Sequence, residues 1–337
     1  MKIIHCADIH LDSKMSANLT KEKARERKTE LLTTFQNMVT YGAEQGVAAI
    51  IIAGDLFDTK NVSATARNVV KDLIQGHPKI AFYYLQGNHD EGSFTSGLSE
   101  LPENLHLFGN NWTSYELSGT ENTSGKGVAV TGVELTPENS GSIYNTLSLD
   151  VDQCNIVVLH GQESEYSARD KAEIIHLTAL KNKGIDYLAL GHIHSYKKER
   201  MDARGVYCYP GCLEGRGFDE CGEHGFVMLD IDELTGTIDS TFIPFASRKL
   251  YTIPVDITGC ESTTDFLLHQ FSHLFYFVKI KDSSEYLVDY AAFAKDKSLK
   301  GEFIRTVMGR ADLPEEDKAT VIHYGLQALA GEEILDA

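Results

Sequence analysis

Residues 48–58 have the sequence Ala48-Ala49-Ile50-Ile51-Ile52-Ala53-Gly54-Asp55-Leu56-Phe57-Asp58. A short, continuous apolar run that ends at a turn signal predicts a strand buried on both faces. Gly54 and Asp55 follow the run, so the predicted strand carries a carboxylate at its carboxyl end. Ligands collect at the carboxyl ends of strands in open α/β sheets. We therefore expect Asp55 to belong to a ligand site.

Other predicted strands end in the same way, on side chains that can bind metals or phosphate. These side chains are Asp8 and His10, Asn88 and His89, His160, and His192 and His194. Helical periodicity over about 20–46 and 64–75 separates the first three strands, which are predicted at 2–6, 48–53 and 80–85. Strands and helices that alternate at this spacing predict βαβ units and an α/β fold.

The rest of the chain changes its pattern twice. Strands are predicted at 127–133, 154–159 and 185–190, with a helix over about 171–183, and shorter hairpin-like strands follow at 206–209, 225–231 and 237–244. From about Ser247 the pattern indicates a separate small α+β unit. We therefore predict one large domain over residues 1–246 and a C-terminal unit over residues 247–337.

Composition limits the function classes. The formal net charge of −18 over 337 residues argues against a generic nucleic-acid binder, which usually has a basic face. It remains compatible with an enzyme whose bound metals supply local positive charge. No apolar run approaches the length of a membrane span, and the N-terminus becomes polar too soon for a signal peptide. We expect a protein without a membrane segment.

The cysteines indicate a reducing compartment. Six of them are scattered along the chain, at positions 6, 154, 208, 212, 221 and 260. Such scatter in a large chain fits reduced thiols in a cytoplasmic protein better than a disulfide framework. Cys208, Cys212 and Cys221 are close enough in sequence to suggest a zinc cluster. They lack the paired two-residue spacing of such clusters, which disfavours that interpretation.

The residue types at the strand ends predict a metal site. Carboxylate, amide and imidazole ligands together suit manganese, iron or zinc better than calcium, which prefers oxygen alone. The Asp55 carboxylate can bridge two ions about 3.5–4 Å apart, as in two-metal hydrolytic sites. We assign His89 to the substrate, where an imidazolium can contact phosphate and protonate a leaving alkoxide. Asp90 is its expected orienting partner, and Asp58 is expected either to support the ligands or to form a turn.

Five short motifs resemble those of the calcineurin-like metallophosphoesterases. They are Asp8-Ile9-His10, Gly54-Asp55-Leu56-Phe57-Asp58, Gly87-Asn88-His89-Asp90, His160-Gly161 and Gly191-His192-Ile193-His194. Within that superfamily the chain looks most like the SbcD-type DNA repair exonucleases. Their segment after the last histidine motif is similar to residues 206–211 and 217–220 of this chain. Cys212 departs from the pattern, because a serine is expected there.

The resemblance implies a fold and a ligand set. The implied fold is a two-sheet β-sandwich flanked by helices, rather than the single parallel sheet that periodicity alone suggests. It implies a dinuclear-metal phosphoesterase domain over residues 1–246 and a C-terminal capping and partner-binding unit over residues 247–337. One metal would be held by Asp8, His10, Asp55 and His194, and the other by Asp55, Asn88, His160 and His192, with His89 catalytic. Two divalent ions are expected, with manganese first and iron or zinc as alternatives.

Three functions follow as hypotheses. The first is a metal-dependent DNA exonuclease or endonuclease that works in DNA repair with an SbcC-like, SMC-type ATPase, with a homodimer as a further expected assembly. The second is a metallophosphatase or phosphodiesterase that acts on a small molecule or a phosphoprotein. The third is a non-catalytic DNA-end or scaffold subunit, which the complete ligand set disfavours. The basic residues of 197–200 and Arg216 are interpreted either as phosphate contacts or as ordinary solvated side chains.

Overall fold

The fold is that of a computed structural model, which describes residues 1–15, 21–58, 62–89, 94–95, 98, 100–117, 125–164, 174–217 and 220–250. Within these residues one compact unit comprises 1–216 and 223–247. A second unit comprises 217–222 and the chain from Arg248 onward. The predictions for 251–337 therefore lie outside the described residues, and the division at 246–247 stays a prediction.

The described part of the first unit contains fourteen strands and three α-helices. The strands are β1 (Lys2–Cys6), β2 (Ala49–Ala53), β3 (Ala81–Leu85), β4 (Leu105–Leu107), β5 (Thr113–Leu117), β6 (Val128–Gly132), β7 (Cys154–His160), β8 (Gln162–Ser164), β9 (Ile174–His176), β10 (Tyr187–Gly191), β11 (Lys197–Arg200), β12 (Val206–Tyr209), β13 (Gly225–Asp232) and β14 (Thr237–Pro244). The helices are α1 (Lys21–Glu44), α2 (Ala64–Gly76) and α3 (Leu177–Leu180), and a 3-10 helix covers Ile143–Thr146.

The strands form two mixed six-stranded sheets. Sheet I has the order β14-β13-β1-β2-β3-β4, and sheet II has the order β11-β12-β10-β7-β6-β5. Strands β1 to β4 run parallel to one another in sheet I, as β6, β7, β10 and β12 do in sheet II. Antiparallel strands complete sheet I beyond β1 and sheet II at both edges, and β8 pairs with β9 in a small separate sheet.

Alternation along β2 shows how the layers stack. Ile51 packs in the core between the two sheets, with Ile3 of β1 and Ile156 of β7. Ile50 and Ile52 face the other way, into the core that α1 and α2 cover. Successive strand residues point to opposite faces, so a strand between two apolar layers must be apolar throughout. The two-sheet sandwich flanked by helices is therefore confirmed.

Most elements predicted within the described residues are confirmed, and one is wrong. The helix expected over about 171–183 is a strand at Ile174–His176 followed by a helix of only four residues, Leu177–Leu180, while 171–173 lie outside the described residues. Pairing of β9 with β8 satisfies its backbone, and the fully buried Ile175 fills the core on the outer face of sheet II. Tertiary contacts thus override the local helical pattern.

The basic segment at 197–200 is a strand of sheet II. It forms β11, which pairs antiparallel with β12 at the edge of sheet II. The Nζ of Lys197 donates to Glu163 Oε1 at 2.5 Å.

Across the described part of the chain, no helix has the length and apolar character needed to cross a membrane.

Candidate metal centre

Five neighbouring strands deliver the predicted ligands to one place. β1, β2 and β3 of sheet I lead into Asp8 and His10, into Asp55 and into Asn88, while β7 and β10 of sheet II lead into His160 and into His192 and His194. Because parallel strands within a sheet present their carboxyl ends at the same edge, these side chains meet there.

The loops after β1 and β2 hold their ligands in an uncommon backbone conformation. Asp8, His10 and Asp55 have φ values of 50°, 49° and 50°. Positive φ in non-glycine residues costs about 1–3 kcal/mol each and needs support from the surrounding structure. That support comes from backbone bonds between the two loops: Asp8 N–H donates to Gly54 O at 3.1 Å, and His10 N–H donates to Asp55 O at 2.9 Å. The sharp turn lets Asp8 and His10 both face inward.

Gly54 lets the two sheets approach each other at the site. Its φ is +94°, and a Cβ at this position would lie 2.0 Å from His160 Nδ1. A side chain here would therefore collide with a predicted ligand of the other sheet. Glycine at position 54 is therefore required by this close approach as well as by its positive φ.

The donors form two groups. Asp8, His10 and His194 have ligand atoms within 4.8 Å of one another, and so do Asp8, Asp55 and His160. In the first group the Nε2 atoms of His10 and His194 face each other at 3.2 Å. The Asp55 Oδ2 atom lies between the groups, 3.8 Å from His10 Nε2 and 3.4 Å from His160 Nε2. The Asp55 carboxylate is thus within reach of both donor groups.

Asn88 and His192 complete the set. Asn88 Oδ1 lies 3.1 Å from His160 Nε2, and the rings of His160 and His192 meet edge-on at 5.4 Å between centroids. The His192 backbone N–H donates to both oxygens of Asp8, at 3.0 and 2.9 Å. The structure thus brings together all seven side chains predicted as ligands. Asp90 lies outside the described residues.

The buried charges are strongly coupled. Burial by itself would raise the pKa of Asp55, but the hydrogen bond with His160 and the charges of His160 and His10 lower it well below its usual range. Burial likewise disfavours protonated His160, yet the Asp55 carboxylate outweighs it and raises the pKa of His160 to about 9. The carboxylates therefore favour positive charge at His160, whereas burial lowers the pKa of His10. Mixed oxygen and nitrogen donors that need such charge fit divalent metal ions.

Contacts outside the cluster orient the imidazoles. His160 Nδ1 lies 2.9 Å from Ala53 O, and His10 Nδ1 lies 3.0 Å from Asp58 Oδ1. In both rings Nδ1 faces an oxygen and Nε2 is directed to the centre. A ligating histidine in a metal site commonly has its other ring nitrogen beside such a carboxylate or carbonyl. Although burial would raise it, the pKa of Asp58 is lowered to about 2 by hydrogen bonds with His10 and Ser13 and by the charge of Arg216.

His89 lies at the exposed edge of the cluster, next to the equally exposed Asn88. Its side chain is exposed, while its backbone N–H donates to Asp55 Oδ1 at 3.0 Å. Its ring meets the ring of His10 edge-on, with the centroids 5.2 Å apart. An exposed imidazole anchored to the edge of the cluster can reach a bound substrate.

Sequence reasoning missed part of the support around the ligands. It left Arg216 undecided between a phosphate contact and a solvated side chain, whereas the structure pairs Arg216 Nη1 with Asp58 Oδ1 at 2.8 Å. It also missed Ser13, whose Oγ donates to Asp58 Oδ2 at 2.9 Å. Arg216 and Asp58 are 158 residues apart, so no local pattern could have revealed the pair.

The cysteines considered for a zinc cluster do not gather in the described residues. No candidate metal group found there contains more than one of Cys208, Cys212 and Cys221. The paired thiolates that a structural zinc site of this kind needs are therefore not brought together in this part of the chain.

The sequence profile of the calcineurin-like phosphoesterases matches residues 1–196. The chain belongs to this family. Members of the family are hydrolases with a dinuclear centre of divalent metal ions, and the donor groups described above are the candidate ligands for such a centre.

Three relatives illustrate the similarity. The uncharacterised metallophosphoesterase YhaO of Bacillus subtilis is 30% identical over 274 residues, which cover 78% of this chain and 65% of that protein. The DNA double-strand break repair protein Mre11 of Methanosarcina mazei is 22% identical and covers 98% of this chain and 54% of its own length. The SbcD subunit of the SbcCD nuclease of Bacillus subtilis is 31% identical over 32% of this chain and 27% of its own length. The chain thus spans less than two thirds of each of these relatives.

Proposed function

We propose that this chain is a metal-dependent DNA nuclease that hydrolyses phosphodiester bonds. The observation that carries the proposal is the convergence of six donor side chains around Asp55 in a member of the calcineurin-like phosphoesterase family. The choice of DNA is supported by similarity to Mre11 over nearly the whole chain and to the SbcD subunit of SbcCD over a third of it. Exonuclease or endonuclease action in DNA repair is the corresponding role.

In this proposal the ligands divide between two divalent ions. Asp8, His10 and His194 would hold the first ion and Asn88, His160 and His192 would hold the second, with Asp55 available to both. Manganese is the proposed metal, with iron or zinc as alternatives that the same donors accept. Such a pair supplies an acidified water molecule and neutralises the phosphate oxygens.

The protein's own part in the reaction is to place charge and protons. Asp55 is fixed on one side by the N–H of His89 and approached on the other by His10 and His160, so its position is set before substrate arrives. The exposed His89 imidazolium donates a hydrogen bond to a phosphate oxygen and then a proton to the departing alkoxide. We propose Asp90 as the group that orients His89.

A phosphatase or phosphodiesterase of a small molecule or phosphoprotein is the second candidate. The formal net charge of −18 favours it, because a DNA polyanion is repelled at long range. The two candidates differ in substrate and share the metal centre.

One experiment separates the candidates. The chain, freed of metal and reloaded with Mn²⁺, is incubated with labelled duplex and single-stranded DNA, and in parallel with bis-p-nitrophenyl phosphate and p-nitrophenyl phosphate. A nuclease degrades the DNA and the diester, and both reactions stop when a chelator removes the metal. Rapid cleavage of the monoester with intact DNA would reject the nuclease and support the phosphatase.

We also propose that residues 247–337 cap the site and bind an SMC-type ATPase. The test is a chain that ends after Ser247. Ser247 is kept because its N–H and hydroxyl donate to the buried Glu214 at 2.6 and 2.5 Å. Loss of ATPase co-purification with retained diester hydrolysis supports the proposal, and undiminished co-purification contradicts the partner role. A homodimer and a cytoplasmic location stay predictions.

A further inference from the structure

A buried segment after β12, Cys212–Arg216, runs beside the first donor group. Cys212, Leu213 and Glu214 have at most 1% of their surface exposed. The first residue of the segment is bonded to a predicted ligand: the Cys212 N–H donates to His194 O at 3.1 Å. The family resemblance assigned no role to this part of the chain beyond similarity of its flanks.

The middle of the segment is held by helix α1. Glu214 Oε1 accepts from Thr34 Oγ1 at 2.6 Å, and the Arg27 guanidinium donates from Nη2 to Gly215 O at 2.6 Å. Thr34 and Arg27 are buried residues of α1. These bonds fix the backbone immediately before Arg216.

Arg216 projects from this fixed backbone toward both histidines of the first donor group. Its Nη1 donates to Asp58 Oδ1 at 2.8 Å, and the same oxygen lies 3.0 Å from His10 Nδ1. Its Nη2 lies 3.5 Å from His194 Nδ1. About a fifth of the Arg216 side chain is exposed, so the guanidinium is only partly screened by water.

We propose that Arg216 is a positioning residue for the first metal ion, acting through Asp58 to hold His10. The inference rests on the dinuclear centre proposed above. Ser13 already fixes Asp58 Oδ2 from one side, and Arg216 fixes Oδ1 from the other. Without the guanidinium, only one oxygen of the Asp58 carboxylate is held, so the carboxylate can rotate. The His10 ring beside it would then leave its ligand geometry. Loss of such an outer partner typically lowers metal affinity about 10–100-fold.

A matched control is available at the other end of strand β10. Arg204 makes a two-point contact with Asp186, from Nε to Oδ1 and from Nη2 to Oδ2, both at 2.8 Å. Asp186 precedes the first residue of β10, whereas His192 follows its last. Arg204→Gln thus removes an Arg–Asp pair of the same chemistry far from the donors.

The test is a calorimetric titration of metal-free chains with Mn²⁺, alongside thermal unfolding. We expect wild type to bind two ions, Arg216→Gln to bind one of them about 10–100-fold more weakly, and Arg204→Gln to bind both as wild type does. If Arg216→Gln fails to fold, Arg216→Lys takes its place, since it keeps the charge and one donor.

The Asp58→Asn background shows whether Arg216 acts through Asp58. There the Arg216 substitution should have little further effect on Mn²⁺ affinity, because the carboxylate that it orients is gone. Unchanged affinity in the single variant, or a full additional loss in the double variant, would overturn the positioning role. Failure of wild type to bind two ions would instead reject the dinuclear centre itself.

Discussion

Gly87 offers a sharp test of the bridging position of Asp55. A Cβ at Gly87 would lie 2.0 Å from Asp55 Oδ1 and 2.6 Å from the Asp55 backbone nitrogen, closer than the 3.0 Å that real Cβ atoms keep. Gly87→Ala therefore forces the carboxylate and the loop at 87–89 apart by about 1 Å, the difference between 3.0 and 2.0 Å. The bond from His89 N–H to Asp55 Oδ1 must stretch with it.

The expected cost follows from that displacement. A misplacement of about 1 Å in a catalytic site lowers activity about 100-fold, which corresponds to about 2.7 kcal/mol of transition-state stabilisation. The assay is Mn²⁺-dependent hydrolysis of bis-p-nitrophenyl phosphate, with metal content measured on the same samples. Gly76→Ala is the matched control, because a Cβ there meets nothing within 4 Å at the end of helix α2.

The control should keep wild-type activity and gain slightly in stability, by up to about 1 kcal/mol, since alanine is the better helix residue. Wild-type activity in Gly87→Ala, with two bound ions, would refute the close packing of Asp55 against this loop.

Three further predictions concern single side chains. Asp55→Ala should lose both metal ions, and two retained equivalents by metal analysis would contradict a shared ligand. His89→Ala should keep its metals and lose about 10²–10⁴-fold in turnover. If the purified variant contains no metal, His89 is a ligand instead. Burial lowers the pKa of His5 to about 3, while the unfolded chain binds the proton near pH 6.5. As the pH falls below 6.5, the free energy of unfolding should therefore decrease by up to about 1.4 kcal/mol per pH unit. Urea titrations at several pH values should show a smaller decrease in His5→Asn.

Local sequence determined most of the elements and the residue types of the site. The run at Ala49–Ala53 is apolar at every position because both faces of β2 are covered, and that pattern is visible without a structure. Ligands at strand ends are equally visible, since the first polar residues after an apolar run mark where the buried strand stops. Helices α1 and α2 were predictable to within a few residues, because their apolar periodicity and end signals are local.

Only the tertiary structure decided which distant residues meet. Periodicity could not distinguish one parallel sheet from two, because a strand buried on both faces has the same pattern in either arrangement. The strand at Ile174–His176 forms where a helix was predicted, since pairing with β8 lies outside any local window. Arg216 reaches Asp58 across 158 residues, and its role depends on a buried segment held by α1. Such contacts arise from packing of the whole chain, so they appear only once the sheets and helices are assembled.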